Sequence, residues 1–260
     1  MDKLDTEILV IGGGATGTGV LRDLAMRGFK TILVERRDLT NGTTGRFHGL
    51  LHSGARYVVK DPEAARECIE ENRILRKIMP HCIEDTGGYF VLTPGDDPGY
   101  RERFTIGCQQ AGIPAEKVSI RQMLAREQYL NPEISHCYYV PDGAADSFAA
   151  AHSNVNSAKE YGAQVFTYYQ VNRLLTETSL ADAENSLSPT HHSNRVVGAL
   201  CHDLVRDQPV EIHADIVINA AGAWVGKIGQ TVGVEIAIRP GKGTMIAISH
   251  RIVNTVINRL

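Results

Sequence analysis

Thr6-Glu-Ile-Leu-Val-Ile11, then Gly12-Gly13-Gly14-Ala15-Thr16-Gly17, and after a short gap Lys30-Thr-Ile-Leu-Val-Glu35, are the residues that decide the fold. The first run is mostly apolar and six residues long, as expected for a strand buried on both faces of a parallel sheet. Residues 15–27 start with small side chains and place Leu21, Leu24 and Ala25 at helical spacing, with Gly28 where a C-cap is wanted. The second apolar run closes a strand–turn–helix–strand unit within thirty-five residues.

Gly12-x-Gly14-x-x-Gly17 is the spacing of a dinucleotide fingerprint. The first glycine makes a tight turn, the second lets backbone approach a pyrophosphate, and the third packs helix on strand. Phosphate then meets backbone amides at a positive helix end. Glu35 stands 23 positions after Gly12, near the ~20 at which an acid binds ribose hydroxyls. An acid there disfavours a 2′-phosphate and so argues against NADP. A compact NAD domain should move directly into another helix and strand. This chain instead continues Asn41-Gly-Thr43-Thr44-Gly45-Arg46, rich in small and hydroxyl residues that can follow a longer cofactor, which favours FAD over NAD.

Outward from this unit, residues 38–55 read as loop with short helical turns. Asp61-Pro62-Glu63 opens a helix with an N-cap acceptor, a proline at the first position and an acid in the first turn. It runs to Met79, and Pro80 ends it. Strands are expected at 88–93, 137–140, 164–176, 195–205 and 210–218, and helices at 99–111, 119–127 and from Asp146 to Tyr161. Residues 179–194, with the pair His191-His192, read as a solvated loop, not a metal site. Residues 242–248 look strand-like, and the apolar run 251–260 reaches the last residue with no cap or breaker, which predicts a continuation.

The composition is that of an ordinary globular protein: 260 residues, 43% hydrophobic, 22% charged, net charge −3. Disorder is excluded, and no basic footprint for nucleic acid is present. Against ~150 residues per domain, the length suits one large domain or two modest ones. Cys68, Cys82, Cys108, Cys137 and Cys201 are odd in number and never spaced Cys-x-x-Cys, so reduced thiols in a cytoplasmic protein are expected, with no metal. The first residues do not form a signal peptide, and no run of 18 apolar residues is present, so any membrane association would be peripheral.

Four stretches together resemble one family: Gly12 to Gly17, Val34-Glu35-Arg36, the long motif Gly45-Arg46-Phe47-His48-Gly-Leu-Leu-His52-Ser-Gly-Ala-Arg56-Tyr57, and Asn219-Ala-Ala221-Gly222-Ala-Trp224. Pro141-Asp142-Gly143 with Asp146, and His250-Arg251-Ile252 with Val256-Ile-Asn-Arg259, match as well. The family is FAD-dependent glycerol-3-phosphate dehydrogenase, and the likeness is to the large catalytic subunit of its bacterial anaerobic members. The resemblance implies an α/β fold like the amino-acid oxidases, a Rossmann-type FAD-binding domain interleaved with part of an antiparallel substrate domain. FAD-binding segments would cover about 5–75 and 145–228, and substrate segments about 76–144 and 229–260. It implies oxidation of sn-glycerol 3-phosphate to dihydroxyacetone phosphate, hydride passing from C2 to the flavin N5 and electrons on to quinone through partner subunits. It also implies that the rest of the substrate domain lies beyond these residues.

By the same resemblance, Gly12, Gly13, Gly14, Ala15, Thr16 and Gly17 would bind pyrophosphate, and Glu35 with Arg36 the adenosine side. Thr43, Thr44 and Gly45 would line the flavin side, Val171 would meet adenine, and Ala221-Gly222 would pass close to the cofactor. Arg56 suits the substrate phosphate or the developing ketone oxygen, since guanidinium offers a planar donor fork; a structural ion pair is the alternative. His52 is a candidate general base, or a residue that orients the loop, and His48 is a similar candidate. Lys242 is a substrate-binding candidate, or a solvated lysine, and Trp224 reads as packing. Two other readings stay open: a related flavin oxidase or dehydrogenase of an amine or 2-hydroxy acid, and a dinucleotide-binding fragment without catalysis. Phe47 stands where the family pattern has a polar residue.

Overall fold

A computed structural model describes residues 2–177, 195–241 and 243–260. Lys242 and the loop expected over 179–194, with its two histidines, lie outside the described residues. The order begins β1 (Asp2–Ile11), α1 (Ala15–Met26), β2 (Thr31–Glu35), β3 (Leu50–Leu51), α2 (Pro62–Ile78), β4 (Ile83–Glu84), β5 (Gly88–Leu92). It continues α3 (Pro98–Ala111), β6 (Glu116–Val118), α4 (Ile120–Arg126), β7 (His136–Val140), β8 (Gly143–Ala145), α5 (Ser147–Glu160), β9 (Gln164–Thr167). The order closes β10 (Tyr169–Thr176), β11 (Val196–Asp203), β12 (Gln208–Asn219), α6 (Val225–Gln230), β13 (Val256–Arg259). Two compact units form, each from two segments: Met1–Phe47 with Ser147–Gly243, and His48–Asp146 with Thr244–Leu260.

The first unit is built on a six-stranded sheet ordered β10-β11-β12-β1-β2-β9. β12, β1, β2 and β9 run parallel, while β10 and β11 are antiparallel. Consecutive residues of β1 are buried because both sheet faces are covered. Val10 joins Leu21, Leu33, Val155 and Ala158 under helices α1 and α5, whereas Leu9 and Ile11 join Ile32, Val34, Leu174 and Ile212. Leu21 is fully buried and contributes about 2 kcal/mol by leaving water. Helix α1 ends in a Schellman motif, Gly28 N donating to Ala25 O and Phe29 N to Leu24 O, with Gly28 at φ 89°.

One expected strand is two. The run 164–176 breaks at Tyr168, which adopts φ 62° and donates its amide to Arg37 O. The break lets β9 pair with β2 and β10 turn to pair with β11.

The second unit holds a four-stranded sheet, β13-β5-β7-β6, antiparallel except for the β13–β5 pair, and a small antiparallel sheet β3-β8-β4. Its core packs Phe90, Phe104 and Tyr138 against Ile69 of α2. The carboxylate of Asp61 accepts the Ala64 amide at 3.1 Å, and Pro62 occupies the first turn, as the sequence leads one to expect.

Two boundaries differ from the sequence reading. Residues 48–75 pack into the second unit, where Asn72 on α2 donates to His52 O and Gly54 lies against Ala65 O. Residues 229–243 stay with the first, tied by the Thr231 hydroxyl, which accepts the Leu174 amide at 3.1 Å. No strand forms over 243–248, whose Met245, Ile246 and Ile248 are exposed; periodicity alone does not supply a partner strand.

Candidate cofactor and substrate sites

The carboxyl ends of β1, β2 and β12 converge in the first unit, the place where open parallel sheets bind ligands. Gly12 N donates to Val34 O and Ala220 N to Ile11 O, both at 2.9 Å, so the three strand ends are stitched together. Gly12 has φ 113°, and a Cβ there would meet Ala220 O at 2.5 Å. A Cβ on Gly17 would run into Gly12 O, so this glycine lets α1 close on the turn. Gly13 N donates to Glu35 Oε2 at 2.8 Å, and Arg37 N donates to Glu35 Oε1 at 2.9 Å. The acid at the end of β2 therefore braces the glycine turn as well as facing the cavity.

Helix α1 starts at this turn with no side-chain cap from Gly14 and no acid in its first turn. Its amides and dipole are thus available to an anion, apart from Ala15 N, which donates to Thr44 Oγ1 at 2.9 Å. A cavity of about 650 Å³ opens there, a size suited to a large cofactor. Gly12, Gly14, Ala15, Thr16, Glu35, Arg36, Thr43, Thr44, Val171, Ala221 and Gly222 line it. Gly13, Gly17 and Gly45 do not: the first two shape the turn, and Gly45 packs behind the wall, where a Cβ would meet Thr40 O at 2.5 Å and Phe148 at 3.1 Å.

Asn41, from the stretch expected to follow the cofactor, also lines the cavity; Tyr169, Lys227 and the part played by Trp224 were not foreseen from the sequence. The indole of Trp224 forms part of the wall, 38% exposed, with the Arg36 guanidinium 5.4 Å over its ring. The backbone amides of an uncapped helix, the glycines that admit a pyrophosphate, and the cations Arg36, Arg37 and Lys227 fit a dinucleotide.

In the second unit, His48 stands just before β3, and His52, Arg56 and Tyr57 follow it. Asp142 is buried and accepts the Ser53 amide at 2.7 Å and the Asn258 carboxamide at 3.2 Å. Asn72 donates to His52 O and Pro141 O, and Arg76 to Pro141 O and Asp142 O, which locks this segment against the Pro141-Asp142-Gly143 turn. The His52 ring lies edge-on to Tyr57, centroids 6.5 Å apart, and its Nε2 is 3.4 Å from His48 Nε2. Burial, the largest influence, lowers the His52 pKa; Asp142 pulls the other way, and His48 and Arg56 lower it further. Arg56 is exposed and makes no ion pair among the described residues. None of the described helices is long and apolar enough to cross a membrane.

A family model described as FAD dependent oxidoreductase matches residues 7–258. The Haloferax volcanii protein named as an A1 chain of anaerobic glycerol-3-phosphate dehydrogenase is 47% identical over 99% of this chain and 43% of its own length. Its counterpart in the Escherichia coli K12 anaerobic glycerol-3-phosphate dehydrogenase is 41% identical over 99% of this chain and 45% of its own. The chain thus spans less than half the length of these curated relatives. Among solved structures, L-proline dehydrogenase from P. horikoshii superposes with a TM-score of 0.74 at 22% identity, covering 99% of this chain and 65% of that one. A Bacillus halodurans glycerol-3-phosphate dehydrogenase complexed with FAD gives 0.62 at 22% identity over 88% of this chain and 36% of that one, a likeness of fold. With a glycine-turn cavity at the strand ends and a family match over nearly every residue, the chain belongs to the FAD-dependent oxidoreductase family, and its cofactor is FAD.

Proposed function

We propose that the chain is the FAD-holding part of a glycerol-3-phosphate dehydrogenase, which oxidises sn-glycerol 3-phosphate to dihydroxyacetone phosphate. The observation that carries this reading is the 40–47% identity, over nearly the whole chain, to proteins named for that dehydrogenase. In this reading the first unit binds FAD and the second supplies substrate groups. The α1 amides and the turn Gly12–Gly17 hold the pyrophosphate, Glu35 the ribose, and Val171 with Arg36 and Trp224 the adenine side. Thr43 and Thr44 face the flavin side, with Gly45 behind them.

FAD, when bound, would supply the acceptor for the hydride that leaves C2. Arg56 is exposed and pairs with no carboxylate among the described residues, as suits a phosphate ligand, and its fork gives a two-point grip. His52 sits four residues before it on a segment fixed by Asn72 and Asp142, and takes the C2 hydroxyl proton as general base when the hydride leaves. Electrons pass to quinone through partner subunits at the inner face of the membrane, with this chain attached peripherally. Lys242 is a further substrate ligand.

Anaerobic addition of candidate substrates to the flavin-loaded chain tests the reading. Glycerol 3-phosphate is expected to bleach the flavin, and amines, amino acids and 2-hydroxy acids to leave it oxidised; bleaching by one of those and not by glycerol 3-phosphate would assign the chain to a different substrate. Arg56→Ala is expected to keep its flavin and to need at least about tenfold more glycerol 3-phosphate for half-reduction, the loss of one charged phosphate contact. An unchanged requirement would remove Arg56 from the site.

A further inference from the structure

Asp142 is a buried acid whose two carboxylate oxygens serve different parts of the chain. Oδ1 accepts the Ser53 amide at 2.7 Å, and Oδ2 accepts the Asn258 carboxamide at 3.2 Å. Strand β5 makes room for it at Gly88, where a Cβ would meet the Asp142 Cβ at 2.7 Å. Ser53 opens the turn that leads to Arg56. Gly54, at φ 91°, lies against Ala65 O, Ala55 is buried, and the Tyr57 amide donates to Gly54 O at 2.9 Å. Arg56 is thus carried to the surface by a buried turn, and its aim depends on what holds that turn.

The donor at 258 is itself firmly held. Glu127 accepts the Asn254 amide and the Thr255 hydroxyl, β13 pairs with β5, and Arg259 donates to Asp96 at 2.6 Å. Arg251 makes a two-point ion pair with Glu84 before the strand begins. With the strand pinned on both sides, the Asn258 carboxamide is a fixed donor and the Asp142 carboxylate is the group it orients. Hydrogen bonds to a charged acceptor are the strong ones, so each of the two donors counts.

We propose that Asn258 is a positioning residue: from β13 its carboxamide fixes the Asp142 carboxylate, and through it the Ser53–Arg56 turn that presents the Arg56 guanidinium. That Arg56 then grips the phosphate of glycerol 3-phosphate rests on the function proposed above; the coupling from β13 to the turn does not. The turn is completed only when the second chain segment of this unit, Thr244–Leu260, has docked. Were Asn258 only a packing residue of β13, its loss would loosen 256–259 and leave the turn alone.

Amide hydrogen exchange over 52–57 and 256–259 of the purified chain separates the two roles. Asn258→Leu removes the donor at similar size, and Asn258→Asp sets a second carboxylate against the first. Both are expected to speed exchange at 52–57 at least about tenfold, the loss of one hydrogen bond to a charged group, with a smaller change at 256–259. Combining Asn258→Asp with Asp142→Asn swaps the two groups: the carboxamide at 142 can accept the Ser53 amide and donate to the carboxylate at 258. The swap is expected to bring 52–57 back to within about threefold of wild type. Unchanged exchange at 52–57 in a folded Asn258→Leu chain, or a swap that restores nothing, would overturn the proposal. If neither single variant folds, the swap decides: slow exchange at 52–57 supports the coupling, and fast exchange or failure to fold overturns it. Flavin-loaded Asn258→Leu is further expected to keep its FAD and to need severalfold more glycerol 3-phosphate for half-reduction; an unchanged requirement, where wild type is reduced, would overturn the link to Arg56. If glycerol 3-phosphate does not reduce even the wild type, the proposed reaction fails while the exchange result stands.

Discussion

Gly12 and Gly14 stand two residues apart in one turn and answer to different constraints. Gly12 is required by the backbone, with φ 113° and Ala220 O at 2.5 Å from any Cβ. Gly14 has φ −87°, which every residue can adopt, and a Cβ there would meet only the Thr44 hydroxyl at 2.9 Å. Gly14→Val is therefore expected to fold, with Thr44 displaced, and to lose FAD because its branches fill the space for pyrophosphate. Absorbance at the flavin bands of the purified variant, beside its circular dichroism, checks this; full flavin content in Gly14→Val would contradict it. His52 gives a pH prediction. Its pKa is lowered in the fold, first by burial, so between the folded value and the ordinary 6.5 the unfolded chain binds more protons. Stability is then expected to fall as pH drops below about 7, and His52→Gln to flatten that slope in denaturant titrations. Equal slopes in the two proteins would show that His52 is not the group responsible. The glycines and Glu35 were legible in the sequence because their spacing is local. Trp224, Lys227 and Tyr169 were not, since β10 and the turn after β12 reach the cavity only through sheet pairing.

Among the elements, β13 shows how a short strand can be held by one buried acid. Glu127, just after α4, is 2% exposed and accepts the Asn254 amide at 3.0 Å and the Thr255 hydroxyl at 2.6 Å, immediately before β13 pairs with β5. Glu127→Ala leaves two donors unmatched and is expected to cost roughly 2–4 kcal/mol, with β13 released first. Hydrogen exchange localises the effect: faster exchange at 256–259 with α1 and β1 unchanged is the expected pattern, and uniform acceleration would contradict it. A sequence reader sees the apolar run 251–260 but not the carboxylate more than a hundred residues away that fixes its start. The break at Tyr168 was hidden for another reason. Alternation runs straight through it, and the left-handed conformation falls on a tyrosine, where no glycine marks the turn. The βαβ unit and the cap at Asp61 were legible because their determinants lie within a few residues of each other.

For the whole molecule, two units interleave along the chain, and the resemblance of four motifs foretold that interleaving with boundaries displaced at 48–75 and 229–243. Those displacements arise from packing, since the loop of His52 is tied down by α2 and the residues after α6 by β10. The central claim is that the cavity at the ends of β1, β2 and β12 holds FAD. The chain contains a single tryptophan, and it stands in that cavity's wall beneath Arg36. Titration of FAD into flavin-free protein, followed by the emission of Trp224, therefore reads the claim at its own site. The account predicts saturable quenching that ends at one FAD per chain and is absent in Gly14→Val. A folded chain whose tryptophan emission does not respond to FAD would contradict it.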